Sequence, residues 1–226
     1  MKYHWDKIDL TEKQREYINS VYREMEAGSY RKTIKIMDLN VKNKRVLDVG
    51  CGPGQFLVEL SKDSPSLLVG CDLDESFLRF AFNEFTNRNI NNFILIRADA
   101  MNLPFANETF DVVTSFLVLP LLRNDKEALI ELSRVLKIDG TLCISIHAAG
   151  LPIRYIKQGR FRPLLIYPIT CIYQLTGKKL ILNTIQNHKK ISKILNSIGL
   201  HVDKIIPSKK SFGLVETFKI RAIKLK

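Results

Sequence analysis

Residues 46–54, Val-Leu-Asp-Val-Gly-Cys-Gly-Pro-Gly, confine this chain to few folds. Val46, Leu47 and Val49 read as a buried strand. Gly50, Gly52 and Gly54 follow at alternate positions, and a helical run over residues 55–62 begins at once. Glycine is needed where a ligand must lie against backbone, because any Cβ would fill the contact. The first N–H groups of the helix face that ligand, and their dipole favours a negative charge on it. The segment is built to hold a molecule with an anionic end at the carboxyl edge of a sheet.

The rest of the first two thirds repeats the strand–helix alternation. Strands are expected at 44–49, 67–71, 93–97, 110–115 and 141–146. Helices are expected at 54–62, 75–88 and 125–137, with a short helix or turn near 100–108. Asp74 is placed to cap the second helix, and Asn124 or Asp125 the third. Such alternation predicts an α/β fold with a doubly wound, parallel sheet. Ahead of it, residues 8–40 read as helical. Ile18, Val21, Tyr22 and Met25 make one apolar stripe, and Ile34 and Met37 continue it after Gly28-Ser29. Past residue 147 the pattern changes. Residues 148–186 are apolar and basic with several prolines, 188–198 read as a helix, and strand-like runs follow near 201–206 and 214–224. We treat the chain as one domain: a helical cap (1–43), a core (44–147), an insertion (148–186) and a C-terminal helix with a strand pair (187–226).

A length of 226 residues suits one such domain with a full core. The first residues, Met1-Lys2-Tyr3-His4-Trp5-Asp6, carry no signal-peptide apolar region, and no window reaches spanning length. Cys51, Cys71, Cys143 and Cys171 lack paired metal spacing, so reduced core cysteines, a cytoplasmic location and no metal are expected. The net charge of +12 is uneven: residues 147–226 hold 16 of the 35 Lys and Arg against only Asp203 and Glu216, or +14, which leaves −2 for the rest. An anionic partner, membrane or nucleic acid, would explain this; so would a solvated basic face.

Further signals fall at strand ends. The second strand closes Val69-Gly70-Cys71-Asp72, where a carboxylate can accept both hydroxyls of a ribose. The third closes Arg97-Ala98-Asp99-Ala100-Met101, and the fourth runs from Phe110-Asp111-Val112-Val113 to Ser115-Phe116-Leu117. The spacing Gly-Cys-Gly-Pro-Gly is not that of a dinucleotide site, and Pro53 removes an N–H that a pyrophosphate would use. Taken in order, these motifs resemble the class I S-adenosylmethionine-dependent methyltransferases, in their broad small-molecule branch (type 11). The run Leu132 to Leu142 is similar to that family's entry to the fifth strand, with Ile138-Asp139-Gly140 in place of the usual Pro-Gly-Gly. The likeness covers residues 44–146 in register and the tail in outline.

The resemblance implies a Rossmann-like, three-layer αβα sheet, mostly parallel with an antiparallel last strand. It implies S-adenosylmethionine as cofactor. Asp48, Gly50, Cys51, Gly52 and Gly54 would then wrap its methionine part, with Cys51 a spacer. Asp72 would hold the ribose and Leu73 pack on the adenine. Asp99 and Ala100 would read the adenine edge with Met101 lining the base, and Ser115 and Phe116 would pass near the sulfonium. Tyr22 and Arg31 stand as candidates for an aromatic and a basic residue that close the site, against a packed core tyrosine and a surface arginine.

No Asn/Asp-Pro-Pro-Tyr element and no Pro-Cys or Thr-Cys pair follows the fourth strand, which argues against base or glutamine N-methylation and cytosine C5 chemistry. Val118-Leu119-Pro120-Leu121-Leu122 stand there instead, so the acceptor side is apolar. His147, just after the fifth strand, is the remaining candidate base. The insertion holds an apolar run, Pro163–Leu175, between basic clusters. Residues 151–180 could lie on an anionic membrane surface, cover the acceptor or join two copies of a monomer-or-dimer protein. Methyl transfer to O, N or C of a small or lipid-linked acceptor is the first reading. The alternatives are a nucleic-acid methyltransferase using the basic third, and a cofactor-binding sensor without catalysis.

Overall fold

The computed structural model describes residues 8–147, 188–209 and 216–225. The strands are β1 (Arg45–Val49), β2 (Leu67–Asp72), β3 (Phe93–Arg97), β4 (Phe110–Phe116), β5 (Leu136–His147), β6 (Leu200–Lys209) and β7 (Glu216–Lys224). The helices are α1 (Glu12–Glu26), α2 (Ser29–Ile36), α3 (Gln55–Ser61), α4 (Glu75–Asn87), α5 (Asp125–Val135) and α6 (His188–Ser197). Among the described residues the sheet runs β3-β2-β1-β4-β5-β7-β6, with β7 antiparallel to β5 and β6. The mostly parallel, doubly wound sheet with its antiparallel strand is therefore present.

Strand alternation divides the core. Val46, Leu68 and Val112 face α1 to α4, whereas Leu47, Val69 and Val113 face α5 and α6. The expected stripe of α1, Ile18, Val21, Tyr22 and Met25, is the set it buries. Thr11 and Gln14 open α1 with a reciprocal capping box, worth about 1 kcal/mol. Asp74 and Asn124 cap α4 and α5 as expected. Tyr22, Phe56, Phe80 and Phe85 are fully buried on the first face, each contributing about 1.5–3 kcal/mol.

Because α3 follows β1 onto one face and α5 follows β4 onto the other, the loops after the adjacent strands β1 and β4 part and leave a crevice at that edge. One boundary differs from expectation. α5 stops at Val135, and β5 starts at once by pairing Leu136 with Phe110. The register then slips to Val112 beside Thr141, so residues 137–140 bulge out, with Asp139 at φ 60°. Lys137 folds back onto Asp111 at 2.8 Å. The Ile138-Asp139-Gly140 segment is thus a bulge inside a longer strand.

Candidate functional site

The glycine turn is pinned to the end of β2. The Gly50 and Cys51 amides both donate to the Cys71 carbonyl, at 2.7 and 3.0 Å. The Gly52 amide donates to Asp72 Oδ2 at 2.8 Å, while Asp72 Oδ1 accepts from the Asp74 amide at 2.9 Å. Each carboxylate oxygen thus has one backbone donor and keeps lone pairs for a ligand hydroxyl. Burial raises the Asp72 pKa, and the Asp74 and Gly52 amides oppose the rise.

Two glycines in this turn have separate reasons. At Gly50 (φ +72°) a Cβ would lie 2.1 Å from Val118 Cγ2, so the loop after β4 rests directly on backbone. At Gly52 (φ +53°) a Cβ would meet only the Tyr17 ring edge and hydroxyl, at 3.9 Å. A side chain at Gly50 would collide with protein, whereas one at Gly52 would make only an ordinary contact with Tyr17.

Asp48 is buried at the end of β1 and accepts a hydrogen bond from the Thr114 hydroxyl at 2.6 Å. Burial pushes its carboxyl up to about 7; the Asp72 charge adds to this and the Thr114 bond subtracts. A cation beside it would favour the ionised form. The Cys51 thiol is driven well up by burial and by Asp48 and Asp72, which outweigh any helix-start effect.

At the neighbouring strand ends, Leu73 is 56% exposed, unusual for a leucine beside a buried strand. Asp99 accepts from the Met101 amide at 2.9 Å, with Ala100 buried and Met101 half-buried. The Ala98 amide donates to the Asp72 carbonyl at 3.2 Å, so both acidic corners share one edge. Ser115 is buried, and Phe116 stands edge-on to Phe56, ring centroids 4.7 Å apart. Leu117 takes φ 62°, with its amide donating to the Ser145 carbonyl and hydroxyl. The backbone of His147 pairs with Thr217 at this same edge. The apolar run 163–175 lies outside the described residues.

Two expectations are corrected in role. Tyr22 is fully buried; its hydroxyl donates to the Pro53 carbonyl at 3.0 Å and its ring meets Phe80 edge-on. It braces the turn from beneath and does not close over it. Arg31 is spent on α3: Nε and Nη2 reach the Glu59 carboxylate and carbonyl, both at 2.8 Å, and Nη1 reaches Asp63 at 2.6 Å. Among the described residues, Tyr17 lies beside Gly52 and Tyr30 beside Gln55 at this end of the sheet. The Tyr17 phenol is pushed up to about 12 by desolvation at its hydroxyl and then by Asp72, although 47% of the residue is exposed. Tyr30 accepts from Gln55 Nε2 at 3.3 Å. The signal for both was their place beside the apolar stripe, where an aromatic would be wasted on solvent. Among the described residues, no cluster of His, Cys, Asp or Glu could hold a metal ion.

The donor set suits the cofactor that the resemblance implies: a glycine turn whose Gly52 has only Tyr17 within reach of a Cβ, a carboxylate with spare acceptors at Asp72, an exposed apolar side chain beside it, and a buried acid able to ionise near a cation.

Comparison with known proteins agrees. Residues 47–144 match the family model described as a methyltransferase domain. The demethylmenaquinone methyltransferase of Lactiplantibacillus plantarum is 37% identical over 98 residues, 42% of this chain and 41% of that one. That of Staphylococcus carnosus is 34% identical over 132 residues, 57% and 53% of the two chains. The chain spans about half the length of the curated relatives it matches. Among solved structures, a putative methyltransferase from Haloferax volcanii, in complex with the Trm112 methyltransferase activator, superposes with TM-score 0.70 at 15% identity, covering 96% and 99% of the chains. Magnesium protoporphyrin IX methyltransferase from Synechocystis PCC 6803, solved with S-adenosylhomocysteine, gives 0.66 at 17% over 90% and 87%. These structures support the fold, and residues 47–144 are similar to the methyltransferase domain family.

Proposed function

We propose that this chain moves a methyl group from S-adenosylmethionine to an apolar small molecule, a quinol-like ring with or without a lipid tail. The observation that carries the acceptor class is the wall after β4. Phe116, Leu117 and Val118 are half-buried, Leu121 is 53% exposed, and Phe56 backs the wall from α3. The relatives named demethylmenaquinone methyltransferases support the same class.

Bound S-adenosylmethionine supplies a methyl already activated on a sulfonium. The chain's own part is alignment and dryness. Asp72 holds the ribose, the glycine turn with Gly52 wraps the methionine part, and Leu73, Ala100, Met101 and Asp99 frame the base. Asp48 offsets positive charge on the amino-acid end. Phe116 and Leu117 exclude water where the acceptor approaches. His147, at the exit of β5, is the proposed base for an acceptor hydroxyl. His147→Ala should slow turnover at least about tenfold with cofactor affinity retained.

Several cations of the last third serve the fold. Lys204 pairs with Asp38, Arg221 with Asp203 at 2.5 Å, and Lys224 with Glu108 at 3.4 Å. This weakens the nucleic-acid reading for that part of the chain. No helix among the described residues is long and apolar enough to cross a membrane. Contact with an anionic membrane through residues 151–180 is part of the proposal, and flotation with anionic vesicles at low salt tests it.

The deciding experiment incubates the full chain with methyl-labelled S-adenosylmethionine and chemically reduced demethylmenaquinone, followed by mass analysis. A labelled quinol supports the reading. Label only in nucleic acid, or none in quinol or cell extract despite cofactor binding, removes it.

A further inference from the structure

We infer that Gln55 and Tyr30 form a recognition pair for a hydroxyl group on the methyl acceptor, an inference that rests on the methyltransferase reading. Gln55 is the first residue of α3, directly after Gly54, and is 8% exposed. Its Nε2 donates to the Tyr30 hydroxyl oxygen at 3.3 Å, and its Oε1, fully buried, has no hydrogen-bond partner. A buried carbonyl left so is destabilising, and such groups in folded proteins are few. The cost is recovered when a ligand brings a donor to that oxygen.

Tyr30 supplies the complementary half. Because it accepts from Gln55, its own O–H remains to donate elsewhere. Burial holds its phenol well above the ordinary value of 10, so the proton stays in place. One orphaned acceptor therefore stands beside one available donor. A hydroxyl, which donates and accepts at one atom, satisfies both; an ether or a ketone satisfies only the donor.

The surroundings say which molecule brings the hydroxyl. The Tyr30 ring lies 5.8 Å from Phe56, and Phe56 stands edge-on to Phe116 at 4.7 Å. The pair thus ends a row of ring contacts that runs through the buried Phe56 to Phe116 at the end of β4, on the acceptor side. The acids that suit the cofactor, Asp48 and Asp72, end β1 and β2 instead. A flat apolar ring along the wall would present a hydroxyl to Gln55 and Tyr30.

The test titrates the full chain, under argon, with 1,4-dihydroxynaphthalene and with its dimethyl ether, with and without S-adenosylhomocysteine. The unmodified chain should bind the diol about tenfold more tightly than the ether. Gln55→Leu and Tyr30→Phe should each erase most of that preference and leave S-adenosylhomocysteine affinity within about threefold. Gln55→Leu removes an unsatisfied group, so its melting temperature should hold or rise, which shows the variant is folded. Undetectable diol binding, equal binding of the two probes, or a preference that survives both substitutions overturns the inference. So does loss of S-adenosylhomocysteine affinity in either variant, which would put the pair in the cofactor site. Failure of the unmodified chain to bind S-adenosylhomocysteine defeats the methyltransferase reading instead, and the diol preference is measured without it.

Discussion

Gly50→Ala and Gly52→Ala add one methyl each to the same turn, and their effects should separate. At Gly52 the new Cβ would lie 3.9 Å from Tyr17, an ordinary contact, so the fold pays only for a left-handed alanine. That is about 1 kcal/mol, or roughly 2–4 °C in melting temperature for a chain of this length. The methyl lies in the glycine turn, however, where a ligand would press on backbone. Affinity for S-adenosylhomocysteine should fall about 10- to 100-fold, or roughly 1.4–2.8 kcal/mol. At Gly50 the Cβ would sit 2.1 Å from Val118 Cγ2, well inside contact distance. Overpacking adds about 1–3 kcal/mol to the backbone cost, so the melting temperature should drop about two to four times as far. Val118→Ala in the Gly50→Ala background should recover part of that loss, since the two residues touch. Scanning calorimetry and calorimetric titration read both quantities on the same samples. Unchanged ligand affinity in Gly52→Ala would refute the reasoning, because the ligand would then lie elsewhere.

Other consequences follow from single contacts. Asp72→Ala removes the acceptor for the Gly52 and Asp74 amides and for a ribose; calorimetry should find cofactor binding abolished, each ligand bond lost costing about 1.5–3 kcal/mol. Tyr22→Phe deletes the bond to the Pro53 carbonyl and should lower stability by about 1 kcal/mol with ligand affinity little changed, whereas a tyrosine closing over the ligand would show the reverse. Asp48 is held protonated by the fold, from its ordinary 3.8 up to about 7. The folded state therefore binds the extra proton, and its contribution is present below pH 4 and lost as pH rises through about 7, on the order of 4 kcal/mol at 1.4 per unit. Asp48→Asn should flatten that slope; denaturant melts of both proteins at pH 5 and 8 that show the same difference would contradict the assignment.

What could be read from the sequence was what is local. The turn at residues 50–54 follows from strand, glycine and helix signals within one stretch, and the caps at Asp74 and Asn124 from one residue and its next three. The stripe of α1 emerged because its period is a property of the helix alone. Roles that depend on which helix packs where did not emerge. Tyr17 and Tyr22 share α1, and only the seating of α1 against α3 and α4 sends Tyr22 under Pro53 and Tyr17 beside Gly52. Arg31 reads as a free surface cation until α2 docks on α3 and brings Glu59 and Asp63 to it. Gln55 looked like any first residue of a helix, and its orphaned oxygen exists only in three dimensions.

The basic last third shows the same distinction for charge. A segment charge of +14 describes a field only if the cations face water. Arg221 on β7 instead donates to the Met37 carbonyl at 2.9 Å and to Asp203 on β6, and Lys204 reaches Asp38 just beyond α2. Lys219, partly buried, donates to the Thr33 hydroxyl at 2.7 Å, and burial lowers its pKa. Acids from the first two thirds, Asp38 and Glu108, thus meet cations from the last. The apparent asymmetry along the chain is in part a pairing across the fold, with the antiparallel strands β6 and β7 supplying the positive half that holds the helical cap against the sheet.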